Sequence, residues 1–290
     1  MVRKVAVPIV LAVAAALLGT PVRAQSRPVA PAETAYRSPY RVEFTQPLAD
    51  LVGDLERSER GDFRLEAEVP YSQWYGSRTL ERWHSWGPSP RTYPPLAGAE
   101  TWSVERKRER VVAVALRYVG YGYQHHHIPD WNPPPEWPWK PTCVGHNSKG
   151  VDCSNFTGFV YNLGFGMRLN TAVEHQSEER AAIGPGAGRT PLHRVELPES
   201  YDERIKVLRT GDLLFIKNRG GKISHVVLWI GSVGRSPDGL PLILDSHGEG
   251  VHDSDGATIP CGIQLRPFRK NSWYNHSASH ALRVFRDRTD

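Results

Sequence analysis

The sequence predicts an α+β fold, with helices packed on a central antiparallel sheet. Three observations carry that prediction. Two segments with helical spacing come first, SVERKRERVVAVALRYVG and GVDCSNFTGFVYNLG. Five short apolar segments follow: DLLFIK, HVVLWIG, LPLILDSHG, IQLRPF and HALRVF. Gly, Asn or Asp separates most of these, as expected of neighbouring strands joined by turns. Helices first and strands after them point to α+β.

The elements are justified in chain order. MVRK is a short positive leader, VAVPIVLAVAAALLG an apolar core, and Val22 and Ala24 the small residues before a cut. Residues 1–24 therefore read as a signal peptide, and a secreted or periplasmic protein is expected. No later stretch is long and apolar enough to span a bilayer. Residues 25–100 are rich in proline and polar residues, with apolar islands such as PLADLVGDL, and GPSPRTYPPLAG reads as a loop or linker. The aromatics of this extension (Tyr71, Trp74, Tyr75, Trp83, Trp86 and Tyr93) argue against a wholly disordered arm. From residue 101 the pattern sharpens into the main domain, 101–290. Val111, Val112, Ala115, Leu116 and Val119 share one helical face, with charges opposite. YQHHHIPDWNPPPEWPWKPTC is proline-rich loop. Phe156, Phe159, Val160 and Leu163 then mark a second helical face, stopped by Gly164 and Gly166.

Charge excludes one class of partner. Removing Arg3, Lys4 and Arg23 with the leader leaves 33 basic residues against 31 acidic. That is no basic footprint, and no nucleic-acid partner is expected. Export also bears on Cys143, Cys153 and Cys261. In an oxidising compartment three cysteines make one pair and one free thiol. If Cys153 is the working thiol, Cys143 and Cys261 are the natural disulfide.

Cys153 stands directly before a helical pattern. The positive end of the helix dipole and the unpaired N–H groups there favour thiolate, and the thiolate is the nucleophile. The backbone N–H of Cys153 is placed to face the oxyanion of a tetrahedral intermediate. A nucleophile needs a base, and KISHVVLWIG puts His225 at the start of an apolar strand. The base needs an orienting group. Asp245 and His247, two apart in LILDSHG, share a strand face, and either is a candidate.

Taken in order, GVDCSNFTGFVYN, GDLLFIK, ISHVVLWIG and LILDSHGEGV resemble the NlpC/P60 family of papain-like cysteine peptidases, over roughly residues 101–290. The resemblance implies a papain-like fold with Cys153 as nucleophile and His225 as base. The third catalytic residue falls on Asp245 if the ILD run matches the family's usual run, and on His247 if histidine is sought. Tyr123 matches a family tyrosine that contacts substrate or the oxyanion. Asp152 and Ser154 match positions that help hold the free amine of a peptide stem. The implied substrate is the peptide stem of the bacterial cell wall, cut at a D-glutamyl–diamino acid bond by a monomer with no cofactor. The chain departs from the family pattern in places. Asn155 and Val227 replace usual glycines, a long insertion separates Tyr123 from Cys153, and GSVGRSPDG is a second insertion.

Other readings stay open on the sequence. The same machinery suits an amidase or acyltransferase, and Trp131, Trp137 and Trp139 would suit a non-catalytic wall-binding platform. His125, His126, His127 and His146 invite a metal, but no carboxylate or cysteine stands at a recognised zinc spacing, so no metal site is expected. HDSDG lacks a full calcium ligand series and reads as a turn. His280 is expected to support the sheet.

Overall fold

The computed structural model describes residues 36–56, 76–78, 81, 92–123, 150–184, 188–248 and 250–287. Three helices form one layer: α1 (Leu48–Glu56), α2 (Val104–Leu116) and α3 (Cys153–Phe165). Short helices α4 (Val173–Ser177), α5 (Tyr201–Val207) and α6 (Trp273–His276) follow. The strands are β1 (Arg41–Val42), β2 (Ala181–Ile183), β3 (Arg189–Pro191), β4 (His193–Glu196), β5 (Leu213–Lys217), β6 (Ile223–Trp229), β7 (Gly234–Arg235), β8 (Leu242–Ser246), β9 (Ile263–Pro267) and β10 (Ala278–Arg283). The central sheet has six strands in the order β4-β10-β5-β6-β8-β9, every neighbouring pair antiparallel. The expected α+β class and all five expected strands are present. The very short strands β1, β2, β3 and β7 and the one-turn or two-turn helices carry too few residues for a periodic signal.

Alternation along the strands builds a core on each side of the sheet. Val226, Leu228, Leu242 and Leu244 enter the core shared with α2 and α3. Val227, Trp229 and Ile243 enter a second core with Phe268 and Tyr274, against which Tyr201 and Ile205 of α5 pack. The α3 helix is enclosed almost all round, with Phe156, Val160 and Leu163 buried and Phe159 half-buried. It packs against α2, β6 and β8. Gly164 continues the helix, and Gly166 ends it in the left-handed region at φ 72°. A Cβ there would stand 2.8 Å from the carbonyl oxygen of Tyr93, so both the turn and the close approach require glycine.

The face of α2 opposite its valines is not a solvated charged face. Arg108, Glu109 and Arg110 are all buried. Three different segments cover them: α1 meets Arg110, the residues just before α1 meet Glu109, and the C-terminal residues meet Arg108, whose guanidinium donates to Phe285 O and to Asp287 Oδ2. Arg110 makes a two-pronged pair with Asp54 at 2.7 Å on each prong, donates to Gly164 O at 3.0 Å and also reaches Leu51 O. Glu109 accepts the backbone N–H of Thr45 and of Gln46. Tyr93 is buried, and its N–H donates to Asn162 Oδ1 on α3 at 3.1 Å, so this part of GPSPRTYPPLAG is packed structure and not a free linker. The compact unit begins at Tyr36, and the described parts of the extension belong to the same body as the sheet.

Removing one partner of a buried pair strands the other charge. Asp54→Ala is expected to lower stability by about 3 kcal/mol, the low end for such a loss because Arg110 keeps its carbonyl acceptors. A urea midpoint unchanged from wild type would show that the Asp54–Arg110 pair does not hold α1 in place.

Candidate active site

The loop before α3 is fixed from two sides. Val151 N–H donates to Gly122 O at 3.1 Å, and Ser246 Oγ on β8 donates to Val151 O at 2.5 Å. Gly150 sits so close to Gly122 that a Cβ would be 2.7 Å from its carbonyl oxygen. These contacts put Tyr123, Cys153 and the end of β8 side by side. Asp152 then caps α3, accepting the N–H of Asn155 at 2.9 Å, and Cys153 is the first helical residue. Its thiol is free and buried, at the helix end where the dipole favours a negative charge. Cys261 is disulfide-bonded. Cys143, its expected partner, lies outside the described residues.

His225 is buried on β6. Its Nε2 meets Asp245 Oδ1 at 2.7 Å, and its ring also hydrogen-bonds the side chain of Cys153. Burial alone would lower its pKa. The Asp245 carboxylate, the Cys153 sulfur and the hydrogen bonds to both outweigh burial and push it up to about 10. For Asp245, burial favours the neutral acid, but His225, Arg266 and Tyr274 together hold its pKa below the usual carboxylate range. His225 therefore stays protonated, and Asp245 ionised, across neutral pH.

Of the two candidate orienting groups, Asp245 meets the imidazole. His247 lies just past the end of β8 and is exposed. Its ring is 5.5 Å from His225 and 4.9 Å from Tyr123, between centroids. Two apart on the sequence did not become one face, because the strand stops at Ser246. Tyr123 is half-buried, and burial together with the charges of Cys153, Asp152 and Asp245 raises the pKa of its phenol. It keeps its proton and can donate.

Asp152 and Ser154 are committed within the fold. Asn155 Nδ2 lies 2.9 Å from Asp152 Oδ1 and 3.0 Å from Oδ2, and Ser154 Oγ donates to Thr171 O at 2.7 Å. A substrate amine at Asp152 would have to compete with Asn155.

Two residues at the site escaped the sequence reading. Tyr274 Oη donates to Asp245 Oδ2 at 2.5 Å, and Arg266 Nε lies 3.5 Å from the same oxygen. The available signal was Arg266 itself, a charge inside the apolar strand IQLRPF, which needs a buried partner. Register supplies that partner. Asp245 pairs with Gln264 and Ile243 with Arg266, so Arg266 is the diagonal neighbour of Asp245 on one face.

A cleft of about 980 Å³ opens beside this constellation, lined in part by Tyr123, His247, Val251, His252, Arg269 and Trp273. Trp273 is 41% exposed, and its ring lies 5.6 Å from that of His225. His125, His126, His127, His146, Trp131, Trp137 and Trp139 lie outside the described residues. Among the described residues no group of three or more His, Cys, Asp or Glu is placed to hold a metal ion. HDSDG forms a turn in which Asp253 Oδ1 accepts the N–H of Asp255 and of Ala257. His280 is buried on β10, with Nε2 2.9 Å from Ser177 O.

Replacing Asp245 with asparagine removes the charge that raises the pKa of His225. Asp245→Asn is expected to cut the rate roughly a thousandfold and to move the alkaline limb of the pH profile to lower pH. His247→Ala is expected to cost less than about tenfold, since Asp245 already holds Nε2 of His225 at 2.7 Å and the His247 ring meets it only edge-on. The reverse ranking in kcat/KM would make His247 the orienting group.

Residues 142–280 match the NlpC/P60 family profile. No curated protein matches the chain. Among solved structures, the chain is similar to an NlpC/P60 family protein from Bacillus cereus, with 16% identity and a TM-score of 0.36 over 62% of this chain and 40% of that one. It is similar to the NlpC/p60 domain of the peptidoglycan hydrolase SagA, with 18% identity and a TM-score of 0.32 over 61% and 97%. It is also similar to the P60 domain of an antigen from M. avium subspecies paratuberculosis, with 20% identity and a TM-score of 0.34 over 63% and 98%. The chain spans less than half the length of the Bacillus cereus protein and of NlpC1 from Trichomonas vaginalis. The segment 142–280, which contains Cys153, His225 and Asp245, is thus the part of the chain that matches the NlpC/P60 family.

Proposed function

We propose that the protein is a cysteine peptidase that hydrolyses amide bonds in the peptide stems of the cell wall. The observation that carries this is the buried line of Cys153, His225 and Asp245, with the thiol at a helix N-terminus and the carboxylate at 2.7 Å behind the imidazole. In this mechanism the Cys153 sulfur attacks the amide carbonyl, and the protonated His225 gives its proton to the leaving amine. Water then enters, His225 takes a proton from it, and the thioester opens to acid and free thiol. Asp245 holds the imidazole with Nε2 toward itself. The N–H of Cys153 and the hydroxyl of Tyr123 donate to the oxyanion, a role suited to a phenol whose raised pKa keeps its proton. No cofactor enters any step.

The family match over 142–280 supports a stem-peptide substrate, and the resemblance of the DCS and ISHVV blocks supports a D-glutamyl–diamino acid bond. The proposed organisation is a signal peptide over 1–24, an extension over 25–100 and the catalytic domain over 101–290. The protein would work as a monomer, secreted or in a periplasm. Among the described residues no helix is long and apolar enough to cross a membrane.

The direct test is digestion of purified muropeptides by wild type and by Cys153→Ala, read by mass spectrometry. New fragments from wild type alone are expected, with masses that identify the bond. Fragments from both proteins, or from neither, would overturn the thiol-peptidase reading. Because Asn155 occupies the Asp152 carboxylate, stems acetylated at the terminal amine are expected to be cut nearly as fast as free ones. A loss of roughly tenfold to a hundredfold, the size of a missing charge-assisted hydrogen bond, would make Asp152 an amine holder after all.

A further inference from the structure

Asp245 is fully buried, and its two oxygens do different things. Oδ1 faces His225, while Oδ2 accepts the hydroxyl of Tyr274 and faces the Arg266 guanidinium at 3.5 Å. Arg266 is itself fully buried, and a lone cation in that position would cost several kcal/mol. Its ion pair is with Asp245. Its Nη2 donates to Pro260 O at 2.7 Å and also to the carbonyl of His247. One guanidinium thus ties the carboxylate to both ends of the 247–260 excursion, which lines the cleft through His247, Gly248, Gly250, Val251 and His252. Gly248 presses on the same spot. At φ 84°, a Cβ on it would lie 2.6 Å from Tyr274 Oη and 2.8 Å from Arg266 Nε.

We propose that Tyr274 and Arg266 are positioning residues: together they hold the outer oxygen of Asp245, which fixes the orientation of His225, and Arg266 links that orientation to the cleft-lining loop. The proposal rests on the reading of Cys153 and His225 as a nucleophile–base pair. The physical argument is one of rotation and charge. A carboxylate gripped on Oδ2 cannot turn Oδ1 away from Nε2, so the other face of the ring stays toward Cys153. The grip also draws negative charge away from Oδ1. Weakening it makes Asp245 a stronger partner for the imidazolium and a looser guide for the ring. The charged and titratable groups around His225 are Cys153 on α3, Asp245 on β8, Arg266 on β9, Tyr274 on α6, His247 after β8, and Tyr123, whose ring lies tilted against His247.

The experiment is the pH dependence of Cys153 alkylation by iodoacetamide on the full chain, with the Cys153 peptide identified by mass spectrometry. It needs no substrate, so it separates this proposal from the peptidase reading: absent muropeptide cleavage would sink the latter while leaving the alkylation profile to judge the former. Tyr274→Phe removes only the hydroxyl. The alkaline inflection is expected to move up by about half a pH unit or more, opposite in sign to Asp245→Asn, with turnover falling about tenfold. Gly248→Ala, which pushes on both side chains from the other side, is expected to move it the same way and serves if Tyr274→Phe does not fold. An inflection that stays in place or moves down in a folded variant would reduce Tyr274 and Arg266 to packing and overturn the proposal.

Discussion

The Asp245 carboxylate, buried beside His225, is the constraint around which the candidate site is arranged. A charge without access to water is tolerated only when each oxygen is compensated. Compensation here comes from four separate elements. Strand β6 supplies His225, strand β9 Arg266 and helix α6 Tyr274, while the excursion after β8 folds back to give Arg266 its carbonyl acceptors. The residue next to Asp245, Ser246, ties β8 to the loop ahead of α3 and so sets where Cys153 begins the helix. Cys153, His225 and Asp245 are thereby positioned by one short segment of β8.

The N-terminal extension takes part in this arrangement from behind. Helix α1 buries Leu51, Val52 and Leu55 in the core that α2 and α3 share. Arg110 joins three helices at once, pairing with Asp54 on α1 and reaching Gly164 O at the far end of α3. Tyr36 donates to Asp253 within the excursion after β8 at 2.9 Å, and β1 pairs with β7. The support of the site therefore begins well before the segment that matches the family.

At the mouth of the site, the polar groups nearest Cys153 look inward. Asp152 caps the helix and is held by Asn155, and Ser154 satisfies Thr171. The cleft itself presents Tyr123, His247 and Trp273, a wall of rings, with Arg269 farther along. Such surfaces give contact area and stacking with few fixed polar demands.

Much of this was legible in the residues. Helical spacing marked α2 and α3, alternation and turn residues marked the five central strands, and the order Cys153, His225, LILDSHG marked the candidate chemistry. Those signals are local, because they arise from periodicity, capping and the position of a residue on its own element. Tertiary structure alone decided the rest. It gave the hydrogen bond to His225 Nε2 to Asp245, while His247 meets the same ring edge-on, because strand β8 ends between the two. It buried Arg108, Glu109 and Arg110, whose spacing sets them opposite the valines, because α1, the residues just before it and the C-terminal residues arrive from far along the chain to cover them. It also brought Arg266 and Tyr274 to Asp245 from a neighbouring strand and a one-turn helix. Sequence by itself determined which side chains could do the chemistry. Which of them touch depended on strand register and on long-range packing, and neither leaves a periodic trace in the chain.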